Sequence, residues 1–403
     1  MQLCAIICEY NPLHLGHAWQ IEQAKRRFGS VVCIMSGSFV QRGEPAIFDK
    51  YLRTKTALLA GADLVLEIPA AFSTASAHEF AAYGVALLSS IGVDAVVFGS
   101  ECGQIEILKQ AAYALNHESA EFQERLRKGL KAGLTYPQAR AKALEMEDTW
   151  ASVLSSPNNI LGIEYLRAAE DLHSPMEFYT ISRKGSGYHE DTLADANFPS
   201  ASAIRGIIRN SLSKDKDLLD ILASHLPAVT HPAYTGAVPV FVDDFSELLN
   251  AAVLQLQATF SIADLSPELA ARLAKPPYFP LSFEERIQAL KTRQLTYTRV
   301  SRALLHLVLG MREEDISRWK EEGYALYARI LGFRRQSSPL LSCLHKKSSI
   351  PLITKMADAA QNLSPSALAL LEQEVYASHL YQTVRMKRSG VFQNEYTEGL
   401  VFV

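Results

Sequence analysis

Five short apolar runs recur between longer segments of helical period through the first half of this chain, and that alternation constrains the fold more than any other feature. The runs occupy residues 3–8 (LCAIIC), 31–35 (VVCIM), 64–68 (LVLEI), 95–98 (AVVF) and 177–181 (EFYTI). Near-continuous apolarity of this kind reads as a strand buried on both faces. Helical periodicity fills the gaps at 17–28, 49–59, 75–90, 121–132 and 159–172. Strand, helix, strand in repetition predicts an α/β fold with a parallel sheet and right-handed crossovers. Small and polar residues mark the strand ends: Glu9-Tyr10-Asn11-Pro12, Ser36-Gly37-Ser38, Gly99-Ser100-Glu101 and Arg183-Lys184-Gly185. In an open sheet of this class that carboxyl edge forms the ligand crevice.

A length of 403 residues exceeds what one core comfortably fills, so two domains are expected, divided near residue 210. Beyond that point strand-like runs are rare, 238–242 being the clearest, and amphipathic helical segments dominate to about residue 384. The segment 386–403 is read no further than as a closing strand. A net charge of −3 excludes a global basic field, yet residues 283–347 hold thirteen Lys and Arg against seven Asp and Glu. This local excess is either the footprint of phosphate-backbone binding or a set of solvated helix faces. No uninterrupted run of 18 apolar residues predicts a membrane span, and the opening segment lacks the basic start of a signal peptide. Cys4, Cys8 and Cys33 lie in apolar runs, Cys102 and Cys343 stand apart, and none forms a close Cys-x-x-Cys pair. Buried packing cysteines in a reducing cytoplasm are the expectation.

The sharpest chemical signal is His14-Leu15-Gly16-His17, just past the first strand and at the mouth of the first helix. A helix N-terminus offers unpaired N–H groups and partial positive charge, which makes it an anion site. Two imidazoles three residues apart there can face one phosphate, and Gly16, lacking a Cβ, lets a nucleotide approach the backbone. Such a constellation stabilises charge developing as pyrophosphate leaves an α-phosphate. Taken alone, a His-x-x-His pair also suits a metal site or two surface histidines. Its position after a buried first strand favours the nucleotide.

The motif resembles the His-x-Gly-His signature of the nucleotidyltransferase superfamily. Together with 35–46 (MSGSFVQRGEPA), 98–101 (FGSE) and 156–162 (SPNNILG), the block 9–17 (EYNPLHLGH) resembles the bacterial tRNA(Met) cytidine acetate ligase family. The resemblance implies a Rossmann-like nucleotidyltransferase domain over 1–210, which binds ATP and catalyses, and a mostly α-helical 211–403 as candidate tRNA-binding region. It implies activation of acetate by ATP with Mg²⁺ to acetyl-adenylate, then transfer of acetyl to the wobble cytidine of elongator tRNA(Met), giving N4-acetylcytidine. Catalysis would rest on His14 and His17. The ATP loop maps onto Ile7, Cys8, Glu9, Tyr10, Asn11, Pro12, Leu13, His14, Leu15, Gly16, His17, Ala18, Trp19 and Gln20, with further contacts at Gly99, Asn158 or Asn159, and Arg183.

Physical chemistry offers a reason for each. Gly99 ends the fourth run, where a small residue lets adenine or ribose lie against the backbone, or is a turn glycine. Asn158 or Asn159 is read as the N-cap of the next helix, leaving the other amide for base or ribose. Arg183 and Lys184 suit a triphosphate, as fork and point charge, or are solvated loop residues. The run 199–205 (PSASAIR) is a partial match to the phosphate-closing Ser-Ser-Thr-x-x-Arg of related adenylyltransferases, with Ser202 as cap and Arg205 on the β- or γ-phosphate. Residues 41–45 (QRGEP) form a loop in which Arg42 and Glu44 either pair on the surface or cover acetate or the incoming cytidine. Arg334, Arg335, Lys346 and Lys347, from the basic stretch, are the candidate tRNA contacts. No Lys-Met-Ser-Lys-Ser element is present, which argues against aminoacylation. Two other readings compete: an adenylyltransferase acting on a phosphorylated small molecule, and an RNA-binding protein that keeps the pocket as a nucleotide sensor.

Overall fold

The computed structural model describes residues 2–134, 139, 142–143, 153–183, 199–212, 218–256, 261–275 and 278–403. Five strands form the parallel body of an eight-stranded sheet: β1 (Cys4–Cys8), β2 (Val31–Ser36), β5 (Leu64–Ile68), β6 (Ala95–Ser100) and β7 (Glu177–Ser182). They correspond to the five apolar runs. Period-2 alternation splits each strand between two cores. Ala5, Ile7, Val32, Ile34, Leu64 and Leu66 join one cluster, while Cys4, Ile6, Cys8, Val31, Cys33, Met35 and Val65 join the other. Burial pushes the Cys4 thiol up to about 12, so it packs as an uncharged apolar residue.

The second half is mostly helical but also returns to this sheet. β8 (Ala328–Phe333) pairs antiparallel with β5, and β9 (Leu352–Ile353) and β10 (Val401–Phe402) pair with β8. The sheet is therefore mixed, in the order β10-β8-β5-β2-β1-β6-β7. The expected strand at 238–242 is absent, because this stretch runs into a 3₁₀ turn at Val242–Phe245 and sends Val240, Val242 and Phe245 into a helical core. A helix at Ile105–Asn116, passed over above, carries Leu108, Ala111, Ala112 and Leu115 on its buried side. Among the described residues no helix is long and apolar enough to cross a membrane.

Two buried charged groups lock the carboxyl edge. Helix α2 (Lys50–Leu59) starts at Asp49, whose carboxylate accepts from the N–H groups of Tyr51 and Leu52, each at 3.0 Å. It carries Arg53 into the interior, where the guanidinium donates to the carbonyls of Glu9 (2.8 Å), Ser36 (2.9 Å), Phe48 (2.9 Å) and Gly37. One side chain thus holds the ends of β1 and β2 together. Beside it, Lys50 Nζ meets Glu67 at 2.6 Å, Glu395 at 3.1 Å and Glu374 at 3.3 Å, and Arg329 closes on Glu67 and Glu395. Burial by itself lowers the Lys50 pKa, but Glu395 and Glu67 outweigh it and keep the ammonium charged. Burial and neighbouring Glu67 push Glu374 well above the usual carboxylate range, leaving two cations against two carboxylates.

Hairpin β3 (Phe39–Val40) to β4 (Glu44–Pro45) turns on Gly43 at φ +76°, where a Cβ would lie 2.5 Å from the backbone nitrogen of Arg302. The Ser301 hydroxyl donates to the Gly43 carbonyl at 2.8 Å, so the hairpin is seated on the Tyr297–Leu309 helix. Replacing Lys50 by Met leaves the Glu67 and Glu395 carboxylates facing Arg329 alone. Unfolding free energy is expected to fall by about 3–5 kcal/mol, read as a lower midpoint in urea at an unchanged m-value.

Candidate active site

Loop 9–14 carries the chain from β1 into helix α1 (Leu15–Phe28), and His14 is the N-cap. Its Nδ1 accepts from the Gly16 N–H at 3.1 Å, while its own N–H donates to His17 Nδ1 at 3.4 Å. The two rings stack with centroids 3.8 Å apart and planes inclined by 24°. Because both Nδ1 atoms accept, the proton of each neutral ring is assigned to Nε2. Burial and then Arg183 lower the His14 pKa to about 4; burial, His14 and Arg183 hold His17 well below its ordinary value. Two neutral N–H donors therefore stand side by side at a helix N-terminus. His14 Nε2 is buried with no protein partner. A Cβ on Gly16 would lie 3.0 Å from His14 Cε1, so glycine is required by the ring above it.

The rings open onto a cavity of about 480 Å³ lined by His14, Gly16, His17, Trp19, Gln20, Gly99, Ile181, Ser182 and Arg183. It lies at the carboxyl edge, where β6 and β7 end. Gly99 faces the Arg183 side chain, whose Cγ would be 3.2 Å from an added Cβ. Arg183 Nη1 donates to Asn158 Oδ1 at 3.0 Å, which fixes the guanidinium at the cavity wall. Asn158 and Asn159 are not caps: the N-cap position of the Pro157–Asp171 helix is Ser156, whose side chain makes no capping hydrogen bond. Instead Glu101 receives Asn158 Nδ2 at 2.6 Å and the Asn159 N–H at 2.9 Å, while Asn159 Oδ1 accepts from the Glu101 and Cys102 N–H groups. Asn159 is thus committed to a clamp on the β6 loop, and Asn158 to orienting Arg183.

The rest of the expected ATP loop divides by burial. Ile7, Cys8, Tyr10 and Leu13 are core residues beneath the site. Glu9 accepts from the Gln41 N–H at 2.9 Å, and the Leu15 N–H donates to the His225 carbonyl at 3.1 Å. Pro12 is buried and Ala18 half-buried. Asn11 Oδ1 accepts from the Ile47 N–H at 2.7 Å, and its carbonyl accepts from Arg205 Nη1, also at 2.7 Å. Arg205 further donates to Ser202 at 3.1 Å. Ser200, not Ser202, caps the Ala201–Leu212 helix, its hydroxyl accepting from the Ala203 N–H at 3.2 Å. Lys184 lies outside the described residues.

The basic group is placed at the other edge. Phe333 pairs with Leu64 at the start of β5, so Arg334 and Arg335 follow at the amino-terminal edge. Lys347 reaches the Gly92 carbonyl at 3.1 Å and Asp94 at 3.3 Å, just before β6 begins, and Lys346 is its exposed neighbour. A five-residue strand separates the two edges by roughly 17 Å. Sequence reasoning passed over Glu101 and Arg53 as site-building residues. Glu101 stands in the quoted 98–101 block, but Arg53 gave no signal apart from its structure.

The family model for HIGH Nucleotidyl Transferase matches residues 1–395. The chain is 36% identical over 420 residues to the tRNA(Met) cytidine acetate ligase of Acetivibrio thermocellus, covering 100% of both, and 39% identical over 365 residues to that of Clostridium novyi, covering 88% and 90%. This chain is a member of the tRNA(Met) cytidine acetate ligase family. A crystal structure of Thermotoga maritima TmcAL bound with alpha-thio ATP shares its fold, with a TM-score of 0.87 at 28% identity over 100% of each chain. In this family member the stacked imidazoles set a pH dependence. A lowered folded-state pKa means stability is complete above about 6.5 and is lost as pH falls towards about 4, because only the unfolded chain takes up the proton. His14→Gln is expected to flatten the stability curve between pH 6.5 and 4 by roughly 3 kcal/mol, measured as urea midpoints at stepped pH.

Proposed function

We propose that the chain is an ATP-dependent ligase that activates acetate as acetyl-adenylate and transfers the acetyl group to the exocyclic amine of the wobble cytidine of elongator tRNA(Met). The stacked His14–His17 pair, presenting two Nε2–H donors beside Arg183 at a helix N-terminus, carries the reading. Both relatives named above are tRNA(Met) cytidine acetate ligases, which supports the substrate.

Acetate is a poor acyl donor. Its oxygen attacks the α-phosphorus of ATP, an O–P bond forms, and the bond to the bridging oxygen breaks as pyrophosphate departs. The charge that gathers on the phosphoryl oxygens meets the two imidazole donors and the α1 N-terminus, while Arg183 forks onto the departing phosphates. Being neutral, the histidines carry no charge to desolvate. The cytidine amine then attacks the acetyl carbon, AMP leaves with the electron pair of the C–O bond, and one amine proton is released. The groups mapped to ATP in the first half, residues 1–210, do the activation, and residues 211–403 help hold the tRNA in this reading. In this reading Mg²⁺ would arrive on the triphosphate and offset its charge. Five free cysteines fit a reducing cytoplasm.

Incubation with ATP, labelled acetate and total tRNA, followed by nucleoside digestion, should yield N4-acetylcytidine; a stable dinucleotide made without RNA would instead mark a small-molecule adenylyltransferase. His14→Ala or His17→Ala is expected to cut acetate-dependent ATP–pyrophosphate exchange by roughly 10²–10³-fold while tRNA affinity stays within about twofold. Arg183→Ala should raise KM for ATP roughly tenfold in the same exchange assay.

A further inference from the structure

We propose that the cleft between the β3–β4 hairpin, the Ala201–Leu212 helix and the 240–242 segment receives the flipped-out acceptor cytidine, with Phe241 and Arg209 supporting the ring and Glu44 accepting a hydrogen bond from its exocyclic amine. This inference rests on the ligase reading and assigns the second substrate of the same site.

The cleft has a volume of about 370 Å³, room for a nucleobase. It adjoins the adenylation loop through shared residues. Arg205 and Ile47, both on its wall, hydrogen-bond to Asn11, three residues before His14. Asn11 Nδ2 is buried there without a partner. Ser202, Arg205 and Arg209 fall at helical spacing on one face, while Ile204 and Ile208 on the adjacent face are fully buried and anchor the helix. The Arg209 guanidinium sits 5.2 Å from the Phe241 ring centroid, an exposed cation on a half-buried aromatic. Arginine planes and aromatic faces are the surfaces on which unstacked bases lie.

Glu44 supplies the discrimination. Its half-buried carboxylate makes no hydrogen bond or ion pair with any described residue, although Arg205, Arg42 and Arg209 act on it electrostatically. A pure phosphate channel has no use for such an acid, whereas carboxylates pair with the exocyclic amine of cytosine. Gly43, seated against Arg302, holds the hairpin that presents it. Arg42, exposed on the same turn, faces outward to meet the flanking phosphates. The basic group at 334–347 cannot serve this base, since it lies at the amino-terminal edge.

The experiment uses the full chain, with acetate-dependent ATP–pyrophosphate exchange and acetyl transfer to tRNA measured in parallel. Arg209→Glu, Phe241→Ala and the exposed-site variant Arg42→Glu are expected to raise KM for tRNA roughly tenfold, and Glu44→Gln to lower the transfer rate by about the same factor, with exchange within twofold of the unaltered protein. Retained exchange also reports an intact fold. Unchanged transfer in Arg209→Glu, Arg42→Glu and Glu44→Gln overturns the inference alone. Absence of acetate-dependent exchange in the unaltered protein overturns the ligase reading, and the inference with it.

Discussion

The buried guanidinium of Arg53 is the constraint on which the site depends. Parallel strands end in carbonyls that no neighbour pairs, and here four of them, at Glu9, Ser36, Gly37 and Phe48, converge on one cation. Loops at such an edge would otherwise choose between solvent and one another. By drawing the β1 and β2 ends onto a rigid fork, Arg53 fixes where loop 9–14 begins, and so where the His14 ring meets the first turn of α1. The geometry of the stacked histidines is set one layer below them.

The same logic runs outward. Glu101 does not face the cavity in its own right, yet it orients Asn158, which holds Arg183, whose stem runs over Gly99. A chain of three side chains converts the start of the Pro157–Asp171 helix into the placement of one guanidinium at the cavity wall. On the other side, Asn11 joins Ile47 and Arg205 to the histidine loop, so cavity and cleft share a wall. The loop that carries His14 and the helix that carries Arg205 are thereby held in one fixed relation.

Much of this was legible in the sequence, and the limits have physical causes. Runs at 31–35, 64–68 and 95–98 were readable as strands because a two-sided sheet demands near-continuous apolarity. The His14–His17 pair was readable because position after β1 and spacing of three act together. The β8 strand was hidden since Arg329 and Gly332 interrupt the near-continuous apolarity that marks the other buried strands. The roles of Asn158 and Asn159 depend on Glu101, 57 residues earlier for Asn158, and no local pattern reveals such a partner. Charge counting located the basic stretch 283–347 but said nothing about which edge it would face. The hairpin at 41–45 read as a surface loop, whereas Gly43 is pressed against the Tyr297–Leu309 helix.

The Lys50–Arg329–Glu395 cluster also imposes an order of events during synthesis. Lys50 leaves the ribosome early and Glu395 late, and in the folded chain the fully buried ammonium lies 3.1 Å from that late carboxylate. Until then the Lys50 ammonium has Glu67 beside it but neither Glu374 nor Glu395, so α2 lacks part of the charge that seats it, and with it the Arg53 fork. A chain ending between the two residues would lack the last carboxylate of the cluster that seats α2, and the loop from Glu9 to His14 would lose part of its support.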